Sequence, residues 1–100
     1  MHVITRKKLN DFARRFPTAK MPLDAWYKLV SKALFKNLME VKAVFPATDD
    51  VKGLTVFNIG GNKYRLIVKI EYRWQKVFIR HVLTHAEYDA GSWKTKGRKK

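Results

Sequence analysis

The 100-residue sequence contains no cysteine. Disulfides and thiolate metal sites are therefore excluded, and the chain suits a reducing compartment. No stretch approaches the ~20 apolar residues that a membrane-spanning helix needs. The opening segment MHVITRKKLNDF lacks the uninterrupted apolar run of a secretory signal. A soluble, cytoplasmic protein without a membrane partner is expected. Internal repeats and low-complexity linkers are also missing, and the length suits one domain. Acidic residues are scarce: eight Asp and Glu stand against 22 Lys and Arg, a formal net charge of +14. Such an excess on a small domain points to a polyanionic partner, nucleic acid first. The cations are spread along the chain instead of lining one amphipathic helix, which argues against an anionic membrane.

His2-Val3-Ile4 reads as a short strand. Thr5 is expected to N-cap a helix running to Phe16, because Leu9, Phe12, Ala13 and Phe16 share one face and Pro17 stops the helix. A second helix should begin near Pro22, with Leu23, Trp26, Tyr27, Val30 and Leu34 inward. Lys28, Lys32 and Lys36 then form a positive stripe on its outer side. Asn37 and Glu40 have capping-box spacing and predict a short helix, Leu38 to Val44, ended by Pro46. Ala47 to Leu54 reads as a polar loop.

The second half is strand-like. Gly60-Gly61 between two apolar runs signals a hairpin, and a two-residue turn would pair Phe57 with Tyr64. Phe57, Ile59, Tyr64, Leu66, Val68 and Ile70 then face the helices, while Val56, Asn58, Lys63, Arg65, Ile67 and Lys69 face away. A second turn at Arg73-Trp74, pairing Tyr72 with Gln75, would bring Phe78, Arg80, Val82 and Thr84 onto the face of Arg65 and Lys69. Val77, Ile79 and Leu83 would join the core face, with His81 as an awkward hydrogen-bonded member. Alternation stops after Thr84, so His85 to Asp89 reads as a turn or short helix past the sheet. Trp93 is expected to fold back onto the body, closing a domain over residues 1–93. Residues 94–100 form a basic tail whose Lys94, Lys96 and Arg98 should contact RNA, along with Lys63 and Lys69.

Several chemistries lack their residues. Gly60-Gly61 has neither the spacing nor the context of a phosphate loop. His85-Ala86-Glu87-Tyr88 is not a zinc HExxH motif, and no serine sits in a hydrolase elbow. What remains is a metal-free set: Arg65 and Arg80 on a sheet face, with His85 and Tyr88 at its end. RNA cleavage needs little more. A base takes the 2′-hydroxyl proton, cations stabilise the phosphorane, and an acid protonates the leaving 5′-oxygen. A non-catalytic RNA-binding domain explains the charge equally. A DNA-binding regulator is less well served, since no recognition helix stands out.

Three segments add a resemblance. Asn58–Arg65 reads N-I-G-G-N-K-Y-R, Thr84–Asp89 reads T-H-A-E-Y-D, and Lys42–Pro46 reads K-A-V-F-P. Together they resemble the HigB branch of the RelE-like bacterial toxins, over roughly Ile4 to Lys96. The resemblance implies an α+β fold with N-terminal helices packed on a small, mainly antiparallel sheet. It also implies metal-independent cleavage of messenger RNA on translating ribosomes, without a cofactor. The implied partner is a cognate antitoxin, commonly one with a helix-turn-helix DNA-binding domain. Arg65, His85 and Tyr88 match the branch's motifs, and Arg80 matches the strand leading into the second. Arg65 and Arg80 are expected on the scissile phosphate, His85 as base or acid, and Tyr88 as an orienting or stacking group. Asn62 suits fixing the hairpin, and Glu87 and Asp89 suit capping or pairing. The alternative is an RNA- or ribosome-binding translation inhibitor that does not cut.

Overall fold

Helical spacing in the first half of the chain and alternation in the second produce a sheet with helices on one face. The computed structural model describes residues 1–91 and Trp93. The tail, with Lys94, Lys96 and Arg98, lies outside the described residues. The elements are β1 (His2–Ile4), α1 (Lys7–Arg15), a 3-10 turn (Pro17–Ala19), α2 (Lys20–Lys32), α3 (Leu38–Val44), β2 (Asp49–Val51), β3 (Leu54–Ile59), β4 (Tyr64–Glu71), a second 3-10 turn (Tyr72–Trp74), β5 (Lys76–Thr84) and α4 (His85–Ala90). The sheet order is β1-β5-β4-β3-β2, with β1 parallel to β5 and every other pair antiparallel. This is the expected α+β arrangement.

The helices depart from expectation at their ends. Thr5 does not cap α1. It takes φ +71°, and only its backbone carbonyl engages the helix, accepting from Lys8 N at 3.0 Å. The cap position falls to Arg6, whose guanidinium lies 3.9 Å from the centre of the Tyr27 ring. Pro17 starts a 3-10 turn that runs directly into α2, so α2 begins at Lys20 and Pro22 sits in its first turn. A proline is tolerated there because the first helical N–H groups have no intrahelical acceptor. At the other end, the Met1 ammonium donates to the carbonyls of Val30, Ser31 and Ala33 at 3.2, 3.1 and 2.6 Å. A cation at a helix C-terminus satisfies carbonyls that the helix cannot. The chain turns extended at Ala33, which removes Leu34 and Lys36 from the helix. Leu34 is 76% exposed and Phe35 is buried in its place. The expected three-lysine stripe therefore does not continue to Lys36.

α3 is where expected. Asn37 Oδ1 accepts from Glu40 N at 3.0 Å, but Glu40 Oε1 returns to Lys36 N at 2.8 Å instead of Asn37 N. The expected polar loop contains a strand, β2, paired with β3 through a tight turn with positive φ at Lys52 and Gly53. Two successive positive-φ residues are the mark of a hairpin turn that matches strand twist. Asp49-Asp50 hides this strand from a hydrophobicity reading, and charge on an outer strand discourages further pairing.

The Gly-Gly hairpin forms with a longer connection. Ile59 pairs with Tyr64 and Phe57 with Leu66, leaving Gly60 to Lys63 as the turn. The shift from the expected register is two residues, so every side chain keeps its face. Leu66, Val68, Phe57 and Ile59 pack with Leu9, Phe12, Leu23, Trp26 and Val30 in the main core. Trp26 meets Phe57 edge-on at 5.4 Å, as a core residue.

β5 starts in the expected frame: Glu71 pairs with Lys76, Lys69 with Phe78, and Val68 with Ile79. A β-bulge then intervenes. Ile67 pairs with His81, Leu66 with Val82, and Arg65 with Leu83, so Arg80 is the extra residue. Beyond it the faces exchange. Val82 packs against the main core, and Leu83 joins a second apolar cluster of Val56, Ile67 and Trp93 with Val51, Leu54 and Tyr88. His81 pairs with outward-facing Ile67 and lies beside Trp93, 6.5 Å between ring centres, so it is not a core-face residue. Trp93 does fold back onto the body.

Leu66 is fully buried between β4's neighbours and the helices, whereas Leu34 is exposed. Leu66→Ala should lower the unfolding free energy by about 2–5 kcal/mol in urea titrations. Leu34→Ala should stay within ~0.5 kcal/mol. Equal losses would mean that α2 continues through Leu34 after all.

Candidate active site

The end of the sheet where β4 begins and β5 finishes carries three of the four residues expected to be catalytic. Tyr64 pairs with Thr84 there, so Arg65 and His85 lie one residue to either side of a paired position. Thr84 and Glu87 form a capping box. Glu87 N donates to Thr84 Oγ1 at 3.2 Å, and Thr84 N to Glu87 Oε1 at 2.9 Å. The S/T-x-x-E spacing that signals this was present in the sequence. It starts α4 directly after the strand, and His85 N donates to the Lys63 carbonyl at 3.0 Å, which ties α4 to the Gly-Gly hairpin. Glu87 is thus a capping residue.

The helical turn places His85 and Asp89 on one face. His85 Nδ1 lies 2.9 Å from Asp89 Oδ2, with 42% of the histidine side chain exposed. A carboxylate on Nδ1 holds the imidazole in the tautomer whose Nε2 carries the lone pair. Among the described residues, no hydrogen bond engages His85 Nε2. Asp89 therefore does more than balance charge: it orients the one histidine at this end of the sheet.

Arg65 differs from its expected state. A position on the sheet face turned away from the helices suggests an exposed side chain, yet the residue is 8% exposed and its guanidinium is well supplied with acceptors. Nη1 donates to the Asn62 and Tyr64 carbonyls at 3.4 and 3.2 Å, and Nη2 to Asn62 Oδ1 at 2.7 Å. The reason is local. The four-residue turn carries Asn62 back over the start of β4, three residues before Arg65, within reach of the guanidinium. Asn62 fixes this arginine as well as the hairpin. All these acceptors are neutral, and among the described residues no carboxylate pairs with Arg65. The site therefore holds a hydrogen-bonded positive charge that no carboxylate among the described residues neutralises.

Tyr88 completes the group. Its ring stacks on Trp93 at 5.2 Å with an 18° interplanar angle, and the Arg65 guanidinium is 5.3 Å from the ring centre. The Tyr88 carbonyl accepts from Trp93 Nε1 at 3.1 Å and from Gly91 N at 3.1 Å. Gly91, at φ +76°, ends the helix in the left-handed conformation that glycine adopts without steric cost. Trp93 was not singled out as part of the site; a lone tryptophan after a short helix gives no periodic signal.

The other expected contacts are dispersed. Arg80 is three residues along β5 from the partner of Arg65, roughly 10 Å at ~3.3 Å per residue. The bulge and exchanged faces separate it from the Arg65 group. Its carbonyl accepts from Lys8 Nζ at 3.2 Å. Lys69 is about four strand residues from Arg65, roughly 13 Å, and lies 3.9 Å from Glu71 Oε2 on the surface. Lys63 is exposed in the turn itself, next to the site. Among the described residues no three His, Asp or Glu side chains are grouped to hold a metal ion, and no helix is long and apolar enough to cross a membrane.

Comparisons with known proteins show the family of the chain. Residues 19–91 match the family model described as HigB_toxin, RelE-like toxic component of a toxin-antitoxin system. The chain is 42% identical over 104 residues to the mRNA interferase toxin HigB of Escherichia coli (strain K12), covering 99% of this chain and 100% of that protein. An mRNA interferase HigB of Shigella flexneri matches to the same extent. Another, from Escherichia coli O6:H1, is 30% identical over 92 residues, 89% of each chain. The match runs through the α2–β5 body and through both segments that build the site, and on that ground the chain belongs to the HigB family of RelE-like toxins, the toxic components of toxin–antitoxin systems.

Proposed function

We propose that this chain is an endoribonuclease that cuts messenger RNA on translating ribosomes in the cytoplasm. We further propose that its cognate antitoxin carries a helix-turn-helix domain. The observation that carries the catalytic assignment is the His85–Asp89 pair at the same end of the sheet as Arg65, an arginine with no carboxylate partner among the described residues. His85 Nε2 accepts the proton of a ribose 2′-hydroxyl. The 2′-oxygen bonds to phosphorus, and the P–O5′ bond breaks. The imidazolium formed in the first step carries the proton that the leaving 5′-oxygen needs. Arg65 faces the charge that develops on the phosphorane oxygens, where a preorganised donor is most effective. Its bonds to Asn62 and Tyr64 hold it in place before substrate arrives. Tyr88 acts as an orienting group: a base stacking on its ring would compete with Trp93 and Arg65. Lys63, and the tail cations Lys94, Lys96 and Arg98, attract the strand through its phosphates. Every role in this scheme is taken by a side chain.

His85→Gln keeps shape and some hydrogen bonding but transfers no proton near pH 7. The variant should fold and bind ribosomes, and cut mRNA about 10²–10⁴-fold more slowly, as read by mapping mRNA ends in a cell-free translation mixture. Full translational arrest without cut ends would establish a blocker in place of an enzyme. Asp89→Asn should slow cutting in the same direction, because an amide can present its own N–H and favour the wrong tautomer.

Arg65→Ala has two expected consequences. Losing a buried side chain with hydrogen bonds to three acceptors should lower stability by about 1–3 kcal/mol. Cutting should fall by ~10²-fold or more, measured below the variant's unfolding transition. Loss of stability with a wild-type rate would leave Arg65 a purely structural role.

A further inference from the structure

β1 covers the outer edge of β5 only from Lys76 to Phe78. Beyond Phe78 no strand among the described residues pairs with that edge, and α1 lies alongside it. Between them runs a groove of about 250 Å³, lined by Lys8, Asp11, Phe12 and Arg15 from α1 and by Arg80 to Leu83 from β5. The bulge at Arg80 sits in its wall. Bulges at sheet edges end regular pairing and re-aim side chains. Lys8, Arg15 and Arg80 are all exposed.

Among the described residues, no carboxylate pairs with the three cations of this groove. Among the described residues Lys8 contacts only a neutral acceptor, the Arg80 carbonyl, at 3.2 Å. Arg15 contacts the Phe16 ring, 5.2 Å from its centre. Neither these two nor Arg80 has a carboxylate partner among the described residues. The one acid in the wall, Asp11, is already engaged by Lys7 at 2.9 Å and by Arg14. The Lys7 hydrogen bond holds its carboxyl below the usual range, so Asp11 stays ionised and committed. The neighbouring cleft between α1 and α2 is different. Its Lys20 is paired with Asp24 at 2.8 Å, and its Arg14 with Asp11.

We propose that the α1–β5 groove is a second RNA-backbone subsite, which holds phosphodiesters of the substrate strand away from the cleaved linkage. Lys8, Arg15 and Arg80 are its contacts. Arg80 thereby belongs to substrate positioning at a distance and not to the scissile phosphate. β5 leads from Arg80 to His85, five residues or roughly 16 Å at ~3.3 Å per residue. A strand seated in the groove is thus directed along β5 to the His85–Asp89 pair. The assignment rests on the RNA-cleaving function proposed above.

The probe is a single-stranded oligoribonucleotide with 2′-O-methyl riboses throughout, which cannot be cut by 2′-oxygen attack. Its affinity is measured by anisotropy across a salt series. On single strands each phosphate contact contributes about 0.7 to the log–log slope. The triple variant Lys8→Gln/Arg15→Gln/Arg80→Gln should flatten that slope by about 2. The control Lys28→Gln/Lys32→Gln/Lys36→Gln removes equal charge elsewhere and should change it by less than half as much. On cleavable RNA the groove variant should raise KM and keep the cut position and the single-turnover rate at saturation. An unchanged slope, or an equal change in both triples, overturns the subsite. Acetylation of the wild-type chain provides a measurement independent of any variant's folding. The probe should protect Lys8 and leave Lys28 reactive, and an unprotected Lys8 overturns the subsite. A wild-type chain that neither binds the probe nor cuts RNA would defeat the nuclease assignment and the groove together. If the wild type binds and cuts while the groove variant matches it, the groove alone is lost.

Discussion

The pairing of β4 with β5 is the constraint on which the rest depends. β4 is central in the sheet, and Leu66, Ile67 and Val68 at its middle are wholly buried. Consecutive burial of this kind means that both sheet faces are covered, one by α1, α2 and α3, the other in part by Tyr88 and Trp93. At roughly 1.5–3 kcal/mol for each large apolar side chain removed from water, this strand anchors the two apolar clusters to each other. Its partner contributes the bulge. One extra residue at Arg80 turns Val82 inward and Leu83 outward, so that the last turn of β5 supports Tyr88 and Trp93 on the outer face. Without it, the strand would deliver its final residues to the opposite faces, and α4 would start from a different side.

Electrostatics act on top of this frame and do little to build it. The ion pairs of α1 and α2, Lys7–Asp11, Arg14–Asp11 and Lys20–Asp24, are exposed helix-surface pairs. Pairs of that kind contribute little to stability, because solvent screens them and two long side chains must be ordered. Their effect is to decide which cations remain available. Eight acids cannot neutralise 22 bases, and the acids that exist are used locally: Asp11 and Asp24 on helices, Glu87 in a cap, Asp89 on His85. Among the described residues, Arg65 and the set of Lys8, Arg15 and Arg80 are left with neutral partners at most. In a toxin whose proposed substrate is a polyanion, these positions are where an external phosphate meets the least competition.

The parts of the fold that follow from local chemistry were legible. Helical spacing located α1 and α2, capping-box spacing located α3, and alternation assigned the faces of β3 and β4 correctly even though the hairpin connection was two residues longer than expected. A two-residue error is harmless to a pattern of period two. The bulge was not legible for the converse reason: one inserted residue shifts the phase by half a period, and R-H-V-L contains apolar residues that suit either phase. β2 was missed because an outer strand needs little apolar area, and two aspartates sit in it. The end of α2 was missed because the group that satisfies its carbonyls, the Met1 ammonium, comes from the far end of the sequence.

The candidate site divides along the same line. The sequence by itself determined which residue types are present and their short-range spacing. Thr84 and Glu87 are set to cap, His85 and Asp89 are one helical turn apart, and Asn62 is three residues from Arg65. Such contacts span fewer than five residues, so backbone geometry alone brings them together. Only the tertiary structure decided that Arg65 would be buried, that Trp93 would press on Tyr88, and that Arg80 would stand with Lys8 and Arg15 instead of with Arg65. Those outcomes depend on strand register, on a bulge and on where α1 crosses the sheet. Each is fixed by the packing of residues far apart in the chain, and no local pattern encodes it.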